Sequence, residues 1–119
     1  MWSSQTQATY ENLRLELRRG SLILAVLGAL RVEQYGYTLR KMLEENGMPV
    51  DEGTLYPLLR RLEAQGLLES QWREEDKRKK RFYRLAPAGT EIFARLMTEW
   101  HQIGEAVRHL YEKPGPGEP

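Results

Sequence analysis

The 119-residue chain carries 18 Lys and Arg against 17 Asp and Glu, a formal net charge of +1, with 40% hydrophobic residues and no cysteine. That length holds one small core and not two, and the missing thiols exclude disulfides, thiolate metal sites, thiol catalysis and thiol-based sensing of redox state or heavy metals. The first residues lack a basic region followed by an apolar one, and the longest apolar run, Leu22 to Leu27, is too short for a bilayer, so a cytoplasmic protein with no membrane partner is expected.

Residues 5–19 place Tyr10, Leu13 and Leu17 at i, i+3 and i+7 among charged neighbours. This spacing predicts a polar helix with a narrow apolar seam, better suited to packing on a partner than to standing alone, and residues 1–19 are expected to form an N-terminal helix that contacts a second subunit. Gly20 is expected to end it. Ser21 would then cap a second helix, Leu22 to Leu30, apolar nearly all round and therefore central. Arg31 to Gly36 reads as a turn, and Tyr37 as the start of a third helix with Leu39, Met42 and Leu43 inward and Asn46-Gly47 at its end. Tyr35 and Tyr37 suit phosphate contacts, but a tyrosine beside an apolar helix normally buries its ring, and packing is the expectation for both.

After the short link Met48-Pro49-Val50 comes the most constraining stretch, Asp51 to Gly66. Leu55, Leu58, Leu59 and Leu62 form one apolar stripe at i, i+3, i+4 and i+7, with Asp51 as an N-cap carboxylate and Gly66 as a C-terminal glycine. A helix over about 52–65 follows. Its opposite face bears Gly53, Tyr56, Pro57, Arg60 and Ala64, flanked by Thr54 and Arg61. Pro57 lacks an amide and should disturb the bond to Gly53, whereas Arg60 has the fork to bind a guanine edge or a phosphate.

Leu67 to Arg73 alternates in polarity and Arg81 to Leu85 is aromatic and strand-prone, which predicts a β-hairpin with a charged tip. Between Arg73 and Arg84, seven basic residues face three acidic ones, so four excess positive charges gather on this hairpin in a chain that totals +1. A field of one sign on one protrusion attracts a polyanion. Two short helices, the second with a basic outer face, followed by such a hairpin describe a winged helix-turn-helix.

Tyr35-Gly36-Tyr37, the run from Gly53-Thr54-Leu55-Tyr56-Pro57 to Glu63, Gly66-Leu67-Leu68-Glu69-Ser70 and Tyr83-Arg84-Leu85 resemble the PadR family of bacterial transcriptional regulators over roughly residues 18–100. Where that family often has a threonine ahead of its last helix, this chain has Ala86, which has no side chain to cap with, though Pro87 suits the first helical position. The resemblance implies a dimer that acts on palindromic DNA.

The last helix, about 87–111, spaces Phe93, Leu96, Trp100, Ile103, Val107 and Leu110 by 3, 4, 3, 4 and 3. This heptad seam asks for a long partner helix, and the simplest is the same helix, or the N-terminal one, of a second copy. Trp100 fits either of two roles, plain packing or a platform for a planar ligand, and some small members of the resembled family hold aromatic drugs between such tryptophans; an effector pocket would draw on Phe93, Leu96, Trp100 and Ile103. Residues 112–119, rich in proline and glycine, read as a disordered tail.

His101, Glu105 and His109 share a helical face, but a span of about 12 Å is too long for one ion, and no phosphate loop, nucleophile triad or sheltered carboxylate pair is present. Neither metal, cofactor nor catalytic site is expected. The expected fold is mainly α with a small β-hairpin: a winged helix-turn-helix over 20–86, flanked by an N-terminal helix and a long C-terminal dimerisation helix. The expected function is a homodimeric, sequence-specific regulator of transcription, most simply a repressor, binding an inverted-repeat operator in double-stranded DNA. Gly53, Thr54, Tyr56, Pro57, Arg60 and Arg61 would bind DNA with Lys77, Arg78, Lys79, Lys80 and Arg81 of the wing. The dimer interface would use Tyr10, Leu13 and Leu17 with Phe93, Leu96, Trp100, Ile103, Val107 and Leu110; where Trp100 is a platform and not plain packing, the effector would be a small aromatic ligand. The alternative is a winged-helix protein-interaction module without DNA.

Overall fold

The computed structural model describes residues 2–112, and the expected disordered tail, apart from Glu112, lies outside them. The elements run α1 (Ser4–Ala29), β1 (Gln34–Tyr35), α2 (Gly36–Glu45), α3 (Glu52–Ala64), β2 (Leu68–Glu75), β3 (Arg78–Leu85) and α4 (Pro87–Glu112). This is the winged helix-turn-helix with long flanking helices that the sequence predicts. Glu112 closes α4 and does not begin the tail.

The expected break at Gly20 is absent. Ser3 caps α1, its Oγ accepting the Thr6 amide at 3.0 Å, and the helix then runs unbroken through Gly20 and Ser21. Ser21 does not cap; its hydroxyl donates to the Leu17 carbonyl one turn back, at 3.2 Å. A glycine costs a helix only about 1 kcal/mol, which the burial of Val26, Leu27 and Leu30 further along outweighs.

Those three residues meet Leu39 and Leu43 of α2 and the full leucine stripe of α3, Leu55, Leu58, Leu59 and Leu62, in one core closed by Leu68 and Tyr83 of the wing. Met42, expected inward, is partly exposed. Both α2 and α3 end in the same way. Gly47 and Gly66 each take a φ of +81°, and the amides of Gly66 and Leu67 return to the carbonyls of Glu63 and Leu62, as those of Gly47 and Met48 return to Glu44 and Leu43. At the other end of α3, Asp51 occupies the cap position without a side-chain bond; its backbone carbonyl, not the expected carboxylate, accepts from Thr54 and Leu55.

The sheet has a third strand that the sequence reading lacks. β1 pairs antiparallel with β3, Gln34 opposite Tyr83 and Tyr35 opposite Phe82, giving the order β1-β3-β2. The hairpin strands are also longer than expected. They reach a two-residue turn, Asp76-Lys77, with φ of 53° and 63°, so Arg78, Lys79 and Lys80 lie in a strand and not in a loop. At the base of the wing the Ala86 amide donates to the Leu67 carbonyl at 2.9 Å. Gly89 permits this closure, since a Cβ there would run into the same carbonyl; α4 thus starts with no side-chain cap from Ala86.

Candidate nucleic-acid interface

Burial of the leucine stripe fixes the roll of α3 about its axis. Gly53, Thr54, Pro57, Arg60 and Arg61 are left exposed, and Tyr56 half-buried. Tyr56 lies across the N-terminus of α2: a Cβ on Gly36 would sit 2.5 Å from its hydroxyl oxygen, so only glycine lets the ring rest there. Pro57 is accommodated inside the helix, which continues past it.

The wing rises beside this face. Between α3, the start of α2 and the wing lies an open cleft of about 490 Å³, lined among others by Tyr37, Tyr56, Arg60, Trp72 and Lys79. Tyr37, expected to pack, is 60% exposed on its rim, stacked against Tyr35 with ring centroids 6.4 Å apart. Trp72 is 62% exposed. Neither aromatic is among the expected site residues, although the alternation Leu68, Ser70, Trp72 already places Trp72 on one face of its strand.

The basic residues divide by partner. Among the described residues Arg60, Arg61, Lys77, Arg78 and Lys79 form no ion pair and no side-chain hydrogen bond, and all five are exposed. Arg81 is committed elsewhere: its guanidinium donates to Glu63 Oε1 of α3 at 2.8 Å and to Ser70 Oγ at 3.0 Å, while Ser70 donates to Glu63 Oε2 at 2.5 Å. This triad ties the wing to α3. Lys80 stands between the two groups, with its ammonium 4.4 Å from the centre of the Tyr35 ring and 3.5 Å from Glu75. Loss of hydration alone would lower the Lys80 pKa, but Tyr35 and Glu75 outweigh it and hold the ammonium above the ordinary lysine value. Burial pushes the Tyr83 hydroxyl up from its ordinary value. On the face of the sheet that Lys80 and Tyr35 share, opposite Arg81 and Tyr83, Arg73 is held by Glu33 at 2.6 Å and lies over the Phe82 ring at 3.8 Å.

The heptad seam of α4 also divides. Phe93 and Leu96 pack against the chain's own core, Phe93 touching the position of Gly28 on α1. Trp100, Ile103, Val107 and Leu110 remain exposed, as do Tyr10, Leu13 and Leu17 of α1. A cleft of about 440 Å³ opens between α1 and α4, lined by Leu17, Leu24, Met48, Phe93, Met97 and Trp100 among others. It therefore unites two of the four expected pocket residues; Leu96 turns to the core and Ile103 lies further out along the helix. No helix among the described residues is long and apolar enough to cross a membrane.

Residues 23–95 match the Transcriptional regulator PadR-like family. The chain is 45% identical over 75 residues to Transcriptional regulator Rv3488 of Mycobacterium tuberculosis, covering 62% of this chain and 70% of that protein. The crystal structure of a PadR family transcriptional regulator from Eggerthella lenta superposes with a TM-score of 0.88 at 38% identity, over 94% of this chain and all of the other. A PadR-like transcriptional regulator from Bacillus cereus gives 0.72 at 25% identity, over 83% and 99%. These regulators are not enzymes, and the winged helix-turn-helix, the Gly53-to-Glu63 helix and the matched span agree: the chain belongs to the PadR-like family of transcriptional regulators.

Proposed function

We propose that the protein is a homodimeric, cytoplasmic repressor that reads an inverted repeat in duplex DNA through α3 and the wing. The observation that carries this reading is the set of five exposed, unpartnered basic side chains, Arg60, Arg61, Lys77, Arg78 and Lys79, on two elements that border one cleft. With Gly53 and Thr54 keeping the first turn of α3 slim, the helix suits the major groove, where Arg60 and Tyr56 reach base edges. The wing cations are placed for phosphates, which fix register and not sequence. Arg60→Ala is expected to cost about 1–3 kcal/mol on the cognate site and to relax specificity, whereas Lys79→Ala weakens all duplexes alike and flattens the salt slope by about 1. Titrating both variants on cognate and random DNA tests the division; equal losses on both DNAs for both variants contradict it.

The exposed seam from Trp100 to Leu110, with Tyr10, Leu13 and Leu17, supports dimerisation through α4 and α1. The cleft beside Trp100 supports a small planar effector that relieves repression. For an aromatic cation such as ethidium, a Trp2→Phe/Trp72→Phe protein, which keeps Trp100 as its one tryptophan, is expected to show quenched fluorescence on binding; retained ligand affinity in Trp100→Leu, read by calorimetry or by the ligand's own fluorescence, contradicts the pocket.

A further inference from the structure

Helix α3 is flanked by a second cleft on its other side. It has a volume of about 350 Å³ and is lined by Arg14, Arg18 and Arg19 of α1, Pro49 and Asp51 of the α2–α3 link, and Thr54 of α3, among others. Thr54 and Tyr56 are two positions apart, about 200° around a helix of 3.6 residues per turn, so this cleft and the wing cleft lie on opposite flanks of α3. Arg18 is used within the fold, donating to the Gly47 carbonyl at 3.0 Å and approaching Met48 Sδ at 3.3 Å, which fastens α1 to the link that leads into α3. Among the described residues Arg14 and Arg19 have no ion pair and no side-chain hydrogen bond, and Asp51 is the one carboxylate among the residues that line the cleft.

A helix inserted in a major groove about 12 Å wide is bordered by two phosphate backbones, one on each side. The wing serves one side. We infer that Arg14 and Arg19 of α1 form a second phosphate-binding surface that holds the other backbone, so that the DNA is gripped on both flanks of α3; this rests on the DNA-binding reading above. The surface recognises duplex backbone and carries no base specificity. The same helix carries Leu17 and Leu24, which line the cleft beside Trp100.

The test compares the full-length wild type with the double variant Arg14→Gln/Arg19→Gln on the duplex best recovered from a random pool and on a random duplex, between about 50 and 200 mM salt. The expected result is an equal loss of affinity on both duplexes and a slope of log K against log salt shallower by about 1–2, with the dimer intact by light scattering. Arg84→Gln, which removes an exposed arginine held by Glu69 outside both clefts, is expected to leave the slope unchanged. An unchanged slope in the double variant overturns the surface and leaves the DNA reading standing. Loss of binding together with loss of the dimer also overturns it, placing the arginines in the subunit contact. A wild type that binds neither duplex at the lower salt overturns the DNA reading and this surface with it.

Discussion

Arg60 and Arg81 are the same residue type on the same side of the molecule, and their surroundings give them different work. Arg60 has no partner and is exposed, whereas Arg81 is gripped by Glu63 and Ser70 with only 34% of its side chain accessible. Opposite signs follow for one substitution. If Arg81 acts as a strut, Glu63→Gln loosens the wing and weakens operator binding, by about 1 kcal/mol for a pair roughly one-third exposed; if Arg81 is a phosphate ligand held back by Glu63, the same change tightens binding. Weakening with an unchanged salt slope is expected, measured by titration at several salt concentrations. Residue types in the basic run were legible in the sequence, but their partners were not, because Glu63 and Arg81 are 18 positions apart and meet only once α3 and the wing have packed. The same holds for Tyr37 and Trp72, whose exposure depends on which face of α2 and of the sheet the core takes up.

At the scale of elements, the leucine stripe of α3 and the two glycine-terminated helix ends could be read directly, since a 3.6-residue period and a positive φ leave marks on the sequence. β1 left none. Two residues are too few to show alternation, and this strand exists because β3 offers an edge to it. The continuity of α1 was hidden for a related reason: the local signals at Gly20 and Ser21 favour a break, and packing further along the helix overrides them. The wing turn yields an experiment that separates conformation from charge. Asp76 and Lys77 both adopt positive φ, which suits glycine far better than lysine. Lys77→Gly should therefore stabilise the fold by about 0.5–1 kcal/mol in chemical denaturation while flattening the salt slope for DNA by about 1. A stabilised variant with an unchanged slope removes Lys77 from the phosphate contacts.

The whole molecule is long for its mass, 65 × 37 × 23 Å, because α1 and α4 project beyond the winged core. Their projecting parts carry the apolar seam, with Leu17 at 72% and Leu110 at 79% exposure in a single chain. The heptad spacing announced that seam in the sequence; what it did not announce is that Phe93 and Leu96 belong to the chain's own core, so the free part starts at Trp100. Val107→Glu places a charge on the free part and leaves the winged core untouched. It is expected to raise the dimer dissociation constant by at least tenfold in analytical ultracentrifugation, a cost of about 1.4 kcal/mol or more, with the helical circular dichroism of the core retained. A dimer of wild-type strength in this variant moves the subunit contact elsewhere. In the proposed dimer, the two copies of α3 would meet half-sites about 34 Å apart, each bordered by one wing and one pair of α1 arginines.

Selection of bound sequences from a random duplex pool by the purified protein, followed by affinity measurements at two salt concentrations, decides whether α3 and the wing read DNA sequence. The expected result is enrichment of an inverted repeat with half-sites centred about one helical turn or a whole multiple of it apart, bound with a steep salt dependence. A pool that stays random after selection, with equal affinity for every duplex tested, would contradict it.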